Sequence, residues 1–246
     1  MKLVNLKILA LLVISYSLAL VAMIPLSWLT PLVEPQLNQA GVRLNQMEGN
    51  LWSGQGQIIE RQLGTVNVQW DTRASGLFRL ALPVDVTLSN TYLDVSGELG
   101  LSPFGLSVTD VSGHVDEKAF ESVYRSYRAT LSGRLQLNGV SADIGWNRRL
   151  GDASGDLSWS GGPVTVPVGR STQTYNVPTL LGTIQSDDRG WKAEVTGPDQ
   201  AIMLEADLTR DWVATYAVKT ALAQAMDIPL PDMGDNLLKR SFEVVY

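Results

Sequence analysis

Two hydrophobic patterns divide the chain. From Ile8 to Leu29 the residues are uncharged and almost continuously apolar, interrupted only by Ser15, Tyr16, Ser17 and Ser27. As a helix this stretch is roughly 33 Å long at about 1.5 Å per residue, which matches a hydrocarbon core of roughly 30 Å. Beyond about Val42 the period changes to two. Val66, Val68 and Trp70 alternate with Thr65, Asn67, Gln69 and Asp71, and the alternation returns at 84–88, 93–95, 131–137, 157–159, 164–168, 191–195, 202–208, 212–218 and 242–246. Alternation sends every second side chain to one face, so these segments predict half-buried antiparallel strands with one wet face. About a dozen of them make the domain all-β, a curved and mainly antiparallel sheet.

The segments between add detail. Leu32, Val33, Leu37 and Ala40 fit one side of a short helix, with Pro31 at its start and Gly41 as a stop. The expected organisation is therefore an N-terminus and membrane anchor over 1–30, a helical joint over 31–41 and a β-rich domain over 42–246. Asp116 to Tyr127 predicts a helix, with an Asp cap and Ala119, Phe120, Val123, Tyr124 and Tyr127 at helical spacing. Thr220 to Met226 is a shorter second candidate, stopped by Pro229 and Pro231. Asp187-Asp188-Arg189-Gly190 reads as a hairpin turn, and Gly54-Gln55-Gly56 as another turn. A phrase Ser-Gly-x-Leu/Val recurs at Ser96, Ser112, Ser132 and Ser154, with a looser copy at Leu181. Its intervals of 16, 20, 22 and 27 residues are too uneven for a solenoid. They fit hairpins of unequal length in one long sheet, each glycine marking a bulge or bend.

Charge orients the apolar stretch. Lys2 and Lys7 precede it and no acidic residue appears before Glu34, so the short N-terminus faces the cytoplasm and the domain after about Thr30 lies outside. Trp28 sits at the exit, where an indole favours the interface. A cleaved signal peptide would need an apolar region of roughly 7–15 residues and a small-x-small site. The nearest match, Leu20-Val21-Ala22, lies inside the apolar run with Leu where a small residue is required. A retained single span is the expectation. Removing Lys2 and Lys7 from the formal charge of −6 leaves −8 on the exported part. An acidic domain with no basic patch argues against nucleic acid as a partner. The chain has no cysteine, so disulfides and thiol chemistry are excluded.

No catalytic constellation emerges, and no cofactor or metal site. His114 is the single histidine; it occupies the x position of the repeated phrase, where its counterparts Glu98, Arg134 and Asp156 are polar, which places it on an outward strand face. Asp187 and Asp188 lack the alternating oxygen ligands of a calcium loop. Gly54-Gln55-Gly56 lacks the third glycine and following helix of a dinucleotide loop. Trp52, Trp70, Trp146, Trp159, Trp191 and Trp212 invite comparison with a carbohydrate platform, but most fall on the apolar phase of strands and read as core packing. A curled sheet lined by Leu, Val and Trp would also accept acyl chains, which makes lipid an alternative partner.

One motif carries a resemblance. Gly49-Asn50-Leu51-Trp52-Ser53-Gly54 is followed about a dozen residues on by a strand ending in Trp70. An N-in anchor, then Gly-x-Leu-Trp-x-Gly, then that strand, resembles the type II secretion system protein N family along nearly the whole chain. The resemblance implies one inner-membrane span, a periplasmic domain and a non-enzymatic accessory role beside other inner-membrane or periplasmic subunits of the secretion machine. It carries over no catalytic residue. The fold also looks similar to AsmA-like envelope proteins, which implies lipid binding or transfer as the alternative. From the residues alone, Gly49 and Gly54 bracket a tight hairpin, and Leu51 and Trp52 would point to opposite faces if extended. Trp52 then reads as a plug at the membrane-proximal end of the sheet, with Gly49, Leu51, Gly54 and Trp70 completing a structural or interaction motif.

Overall fold

A computed structural model describes residues 41–244 except 61–62, 74–75, 77–80, 126–127, 169–170 and 229–233, together with Pro31, Glu34, Pro35 and Leu37. The apolar stretch Ile8–Leu29 lies outside the described residues, and no helix among those described is long and apolar enough to cross a membrane. Of the 31–41 joint, the four described positions before Gly41 are helical, and Gly41 has φ +80°, the conformation that ends a helix.

About 70 % of the described residues are in strands. Thirteen form one sheet, an antiparallel meander: β1 (Val42–Gly49), β2 (Ser53–Glu60), β3 (Gly64–Thr72), β4 (Leu82–Ser89), β5 (Leu93–Ser102), β6 (Gly105–Asp116), β8 (Arg134–Gly145), β9 (Leu150–Trp159), β12 (Leu180–Asp187), β13 (Gly190–Thr196), β14 (Ile202–Thr209), β15 (Val213–Lys219) and β16 (Asn236–Glu243). A second sheet of order β11-β10-β7 contains β7 (Thr130–Leu131), β10 (Gly162–Val168) and β11 (Ser171–Val177). The large sheet is open, with β1 and β16 as its edges.

The alternation becomes two stripes once the register is known. Gly56, Val68, Leu88, Val95, Gly113, Leu137, Leu157, Gly182, Val195, Leu204, Val218 and Leu238 are cross-strand partners in one unbroken row from β2 to β16. Every member is apolar. The neighbouring row, on the opposite face, is polar from β2 to β9, through Gln57, Asn67, Ser89, Asp94, His114, Gln136 and Ser158, and continues through Leu181, Thr196 and Ile202. Ion pairs tie this polar face together, among them Arg73 with Asp85 and Glu98, Lys192 with Glu194, and Lys219 with Glu205. His114 lies here, as its place in the repeated phrase predicts.

The apolar face is not a closed core. Leu137, Leu157, Val195, Leu204 and Val218 are only half-buried, and Leu238 is exposed. The buried apolar residues are scattered, and Met203 is the most completely buried of them.

The repeated Ser-Gly phrase marks irregularities, as expected. Register shifts fall between Ser96 and Glu98, between Val111 and Gly113, and at Asn138–Ser141 opposite Gly155. In the middle of the β6–β8 pair, Asp110 (φ +53°) and Gly139 (φ +61°) both take left-handed conformations. Two hydroxyls satisfy the amides this frees: Asp110 N donates to Ser141 Oγ and Gly139 N to Ser112 Oγ, each at 3.0 Å. Ser112 of the phrase and Ser141 on the paired strand are thus the bulge's hydrogen-bond acceptors in place of the missing ladder partners. At Ser132-Gly133 the phrase does something else. Gly133 (φ +137°) breaks the predicted strand 131–137, so that Leu131 joins the small sheet and Leu135 the large one.

Several other expectations are corrected. Gly54-Gln55-Gly56 is not a turn but part of the first half of β2. The predicted helix Asp116–Tyr127 is a 3-10 turn, Glu117–Phe120, followed by a short helix α1 (Glu121–Arg125). Asp116 makes no side-chain cap there. Its carboxylate instead accepts from Arg134 Nε at 2.6 Å, and this stronger charged partner outcompetes the cap. Helix α2 (Thr220–Ala225) forms as predicted and packs against β14 and β15.

Candidate functional site

The Gly-x-Leu-Trp-x-Gly motif is the turn between β1 and β2. Gly49 and Gly54 are direct cross-strand partners, so they do bracket a hairpin. Asn50 closes it: its side-chain oxygen accepts from Trp52 N at 2.8 Å and Ser53 N at 3.0 Å, and its own amide donates to Ser53 O at 3.0 Å. Neither glycine tolerates a side chain. Gly49 has φ +105°, and a Cβ there would lie 2.3 Å from Ser53 O. A Cβ on Gly54 would lie 2.2 Å from Trp70 Cζ2 and 2.4 Å from Glu48 O.

That contact explains Trp70. Its indole lies across Gly54 and donates Nε1–H to Asn50 O at 3.0 Å. Thr72, buried and polar, extends the same clamp: its amide donates to Trp52 O at 2.5 Å and its hydroxyl to Leu51 O at 3.0 Å. Sequence proximity did not reveal that β3 holds this turn.

Two readings of the motif change. Leu51 and Trp52 are in the bend rather than extended, so alternation does not apply to them; Leu51 is 43 % exposed and Trp52 half-buried. The turn also sits at the far end of β1 from Val42, about 23 Å along the strand. Trp52 is therefore not at the end of the sheet where the 31–41 segment joins it.

Strand directions alternate, so the turns at 50–52, 103–104, 146–149, 188–189 and 210–212 share this same end. Three more indoles pin them. Trp146 Nε1 donates to Ser102 O at 2.8 Å, Trp191 Nε1 to Gly151 O at 2.8 Å and Trp212 Nε1 to Arg148 O at 2.9 Å. The tryptophans are thus not core packing in the expected sense. Trp52, Trp146 and Trp212 are in turns, and none of the six is fully buried. Trp146 is 62 % and the adjacent Phe104 80 % exposed, an apolar tip of the kind that anchors a contact.

The turn Asp187–Gly190 is built by its first residue. The Asp187 carboxylate accepts from Arg189 N at 2.7 Å and Gly190 N at 3.0 Å, and the Arg189 amide holds this carboxyl below its ordinary range. Its oxygens are committed to the turn. Among the described residues no group of His, Asp and Glu is arranged to hold a metal ion.

One apolar cavity of about 300 Å³ lies on the apolar face near the small sheet. Its lining comes from both sheets: Leu131 and Val177 on one side, and Leu135, Trp159, Leu180 and Leu204 on the other. A separate recess on the opposite, amide-rich part of the sheet is lined by Gln46, Glu48, Gln55, Gln57, Asn67 and Gln69.

No curated protein and no solved structure matches the chain. The sequence model of the family type II secretion system (T2SS), protein N, matches residues 40–229, which spans the clamped turn, both sheets except β16, and α2. By that match the chain is a member of the type II secretion system protein N family.

Proposed function

We propose that this protein is a non-enzymatic accessory subunit of a type II secretion system, held in the inner membrane by Ile8–Leu29 and acting in export of folded proteins through a periplasmic sheet. The family match over residues 40–229 supports the secretion role. The physical means is docking at the sheet's ends and edges. Among the described residues β1 and β16 each leave one side unpaired, and an unpaired strand edge adds a partner's strand through main-chain hydrogen bonds. A tethered domain presents such an edge to other membrane-bound subunits at high effective concentration. The partners are accordingly other inner-membrane or periplasmic subunits of the machine.

Two measurements test this reading. A clean deletion should lower the amount of a secreted enzyme in the medium and raise its retention in the periplasm. Unchanged export would sink the secretion role. A C-terminal alkaline phosphatase fusion should be active and sediment with membranes. An inactive fusion reverses the orientation, and activity in the soluble periplasmic fraction means the apolar stretch is cleaved.

A further inference from the structure

We infer that the apolar cavity between the two sheets is a binding site for a single acyl chain of a lipid. The inference stands on the cavity alone and does not depend on the secretion role.

The floor is built from five adjacent strands, β8, β9, β12, β13 and β14, through Leu135, Leu157, Trp159, Val195 and Leu204. Four inter-strand spacings make this floor about 19 Å wide. That exceeds the roughly 15 Å spanned by one leaflet's chains in a hydrocarbon core of about 30 Å. Leu131 of β7 and Val177 of β11 supply the wall from the second sheet.

The chemistry of the lining selects the ligand. No lining side chain is charged or carries a hydroxyl or carboxamide. The five floor strands are all interior to the sheet, each paired on both sides. A peptide laid in extended form across this floor would find no amide partner in it, which disfavours its burial there. A helix satisfies its own amides, but at about 10 Å across it would rest on the mouth of a cavity of about 300 Å³ rather than enter it. An alkyl chain is thin and asks for no hydrogen bond. Each methylene buried adds to the stability of the complex.

Gly182 supplies the space. It lies in the middle of the floor, opposite Leu157 on one side and Val195 on the other. A Cβ added there would sit 3.2 Å from Leu157 Cβ and 3.5 Å from Val195 Cγ2. A Cβ fits there once Leu157 gives by a few tenths of an ångström, and a longer side chain would enter the cavity. Gly182→Leu therefore plugs the site without making it polar. Its neighbour Leu181 is 56 % exposed and belongs to the other face.

The test uses the full chain in membranes, photolabelled with two diazirine probes: palmitic acid and a phospholipid with a labelled palmitoyl chain. Labelled peptides are mapped by mass spectrometry. Either probe should label peptides carrying Leu157, Trp159 or Val195, and excess unlabelled palmitate or phospholipid should displace it; which probe labels identifies the source of the chain. Gly182→Leu should cut that labelling about tenfold, the cost of two displaced methylene groups. Leu181→Phe should leave it unchanged. Absence of label from these peptides with both probes, or label that no competitor displaces, would overturn the assignment even if Gly182→Leu failed to fold. Equal labelling of a folded Gly182→Leu protein would overturn it too.

Discussion

Gly113→Ala is expected to lower the stability of the sheet domain by about 3 kcal/mol. Gly113 sits at the bulge of β6 with φ +140°, and a Cβ there would lie 2.1 Å from Asp94 O and 2.7 Å from Val95 Cα. Both obstacles are backbone of the paired strand β5, where Val95 is the direct partner of Gly113. Neither can withdraw without opening the ladder. Backbone strain and overpacking each cost about 1–3 kcal/mol, and here they act together. Gly64→Ala provides the contrast. Gly64 also has a positive φ, +70°, but nothing lies within 4 Å of its Cβ position, so only the conformational cost of about 1 kcal/mol remains. Urea unfolding followed by circular dichroism should separate the two variants by about 2 kcal/mol. Equal midpoints would show that the bulge is not sterically locked.

Trp70→Ala should cost about 2–4 kcal/mol, below the range for a fully buried tryptophan because the indole is half-buried. The loss combines packing across Gly54 with the hydrogen bond to Asn50 O. Trp52→Ala should cost under about 2 kcal/mol, because its side chain is half-buried and the hydrogen bonds of residue 52 run through its main chain. The plug expected of Trp52 thus belongs to Trp70, which clamps the turn from β3. The two variants are compared by thermal unfolding and by export of a secreted enzyme. If Trp52→Ala is the more destabilising of the pair, the clamp is misassigned. If Trp52→Ala leaves the melting temperature alone and blocks export, the side chain of Trp52 is a contact with a partner subunit.

β1 and β2, which alternation missed, share a cause. At Gly54 and Gly56 the apolar phase of β2 carries no side chain, because Trp70 and Met47 occupy the space from neighbouring strands; Met47 Sδ lies 2.1 Å from where a Gly56 Cβ would be. In β1 the alternation Val42, Leu44 is thrown out of phase by Gln46, at φ +49°, and Met47 then turns inward. A reader of one strand at a time sees polar residues and glycines there. The pairing that makes sense of them is contributed by another strand. Trp212 was misplaced for a similar reason: it keeps the alternation of β15 but lies in the preceding turn at φ +61°, where its indole reaches Arg148 O. The regular strands β3, β4, β13, β14 and β15 were legible because their apolar residues are their own. Of the candidate site, the two bracketing glycines could be read from spacing. The third element, Trp70 across Gly54, required the register between β2 and β3.

The strand order has a bearing on how the chain comes to be folded. Along the large sheet each strand docks on one already made, and the two departures from strict succession, β6 to β8 and β9 to β12, only step over the small sheet. No strand of the large sheet waits for a partner from a distant part of the sequence, so loop closure is inexpensive at every step of its assembly. A chain emerging N-terminus first can assemble like a ribbon knitted row by row, its newest strand always the growing edge. Throughout that assembly the edge is open and the apolar stripe is half-covered, so the nascent ribbon is most vulnerable to pairing with a second copy before β16 is added. β16 bears Lys239 and Arg240, charges that blunt the last edge once it is in place.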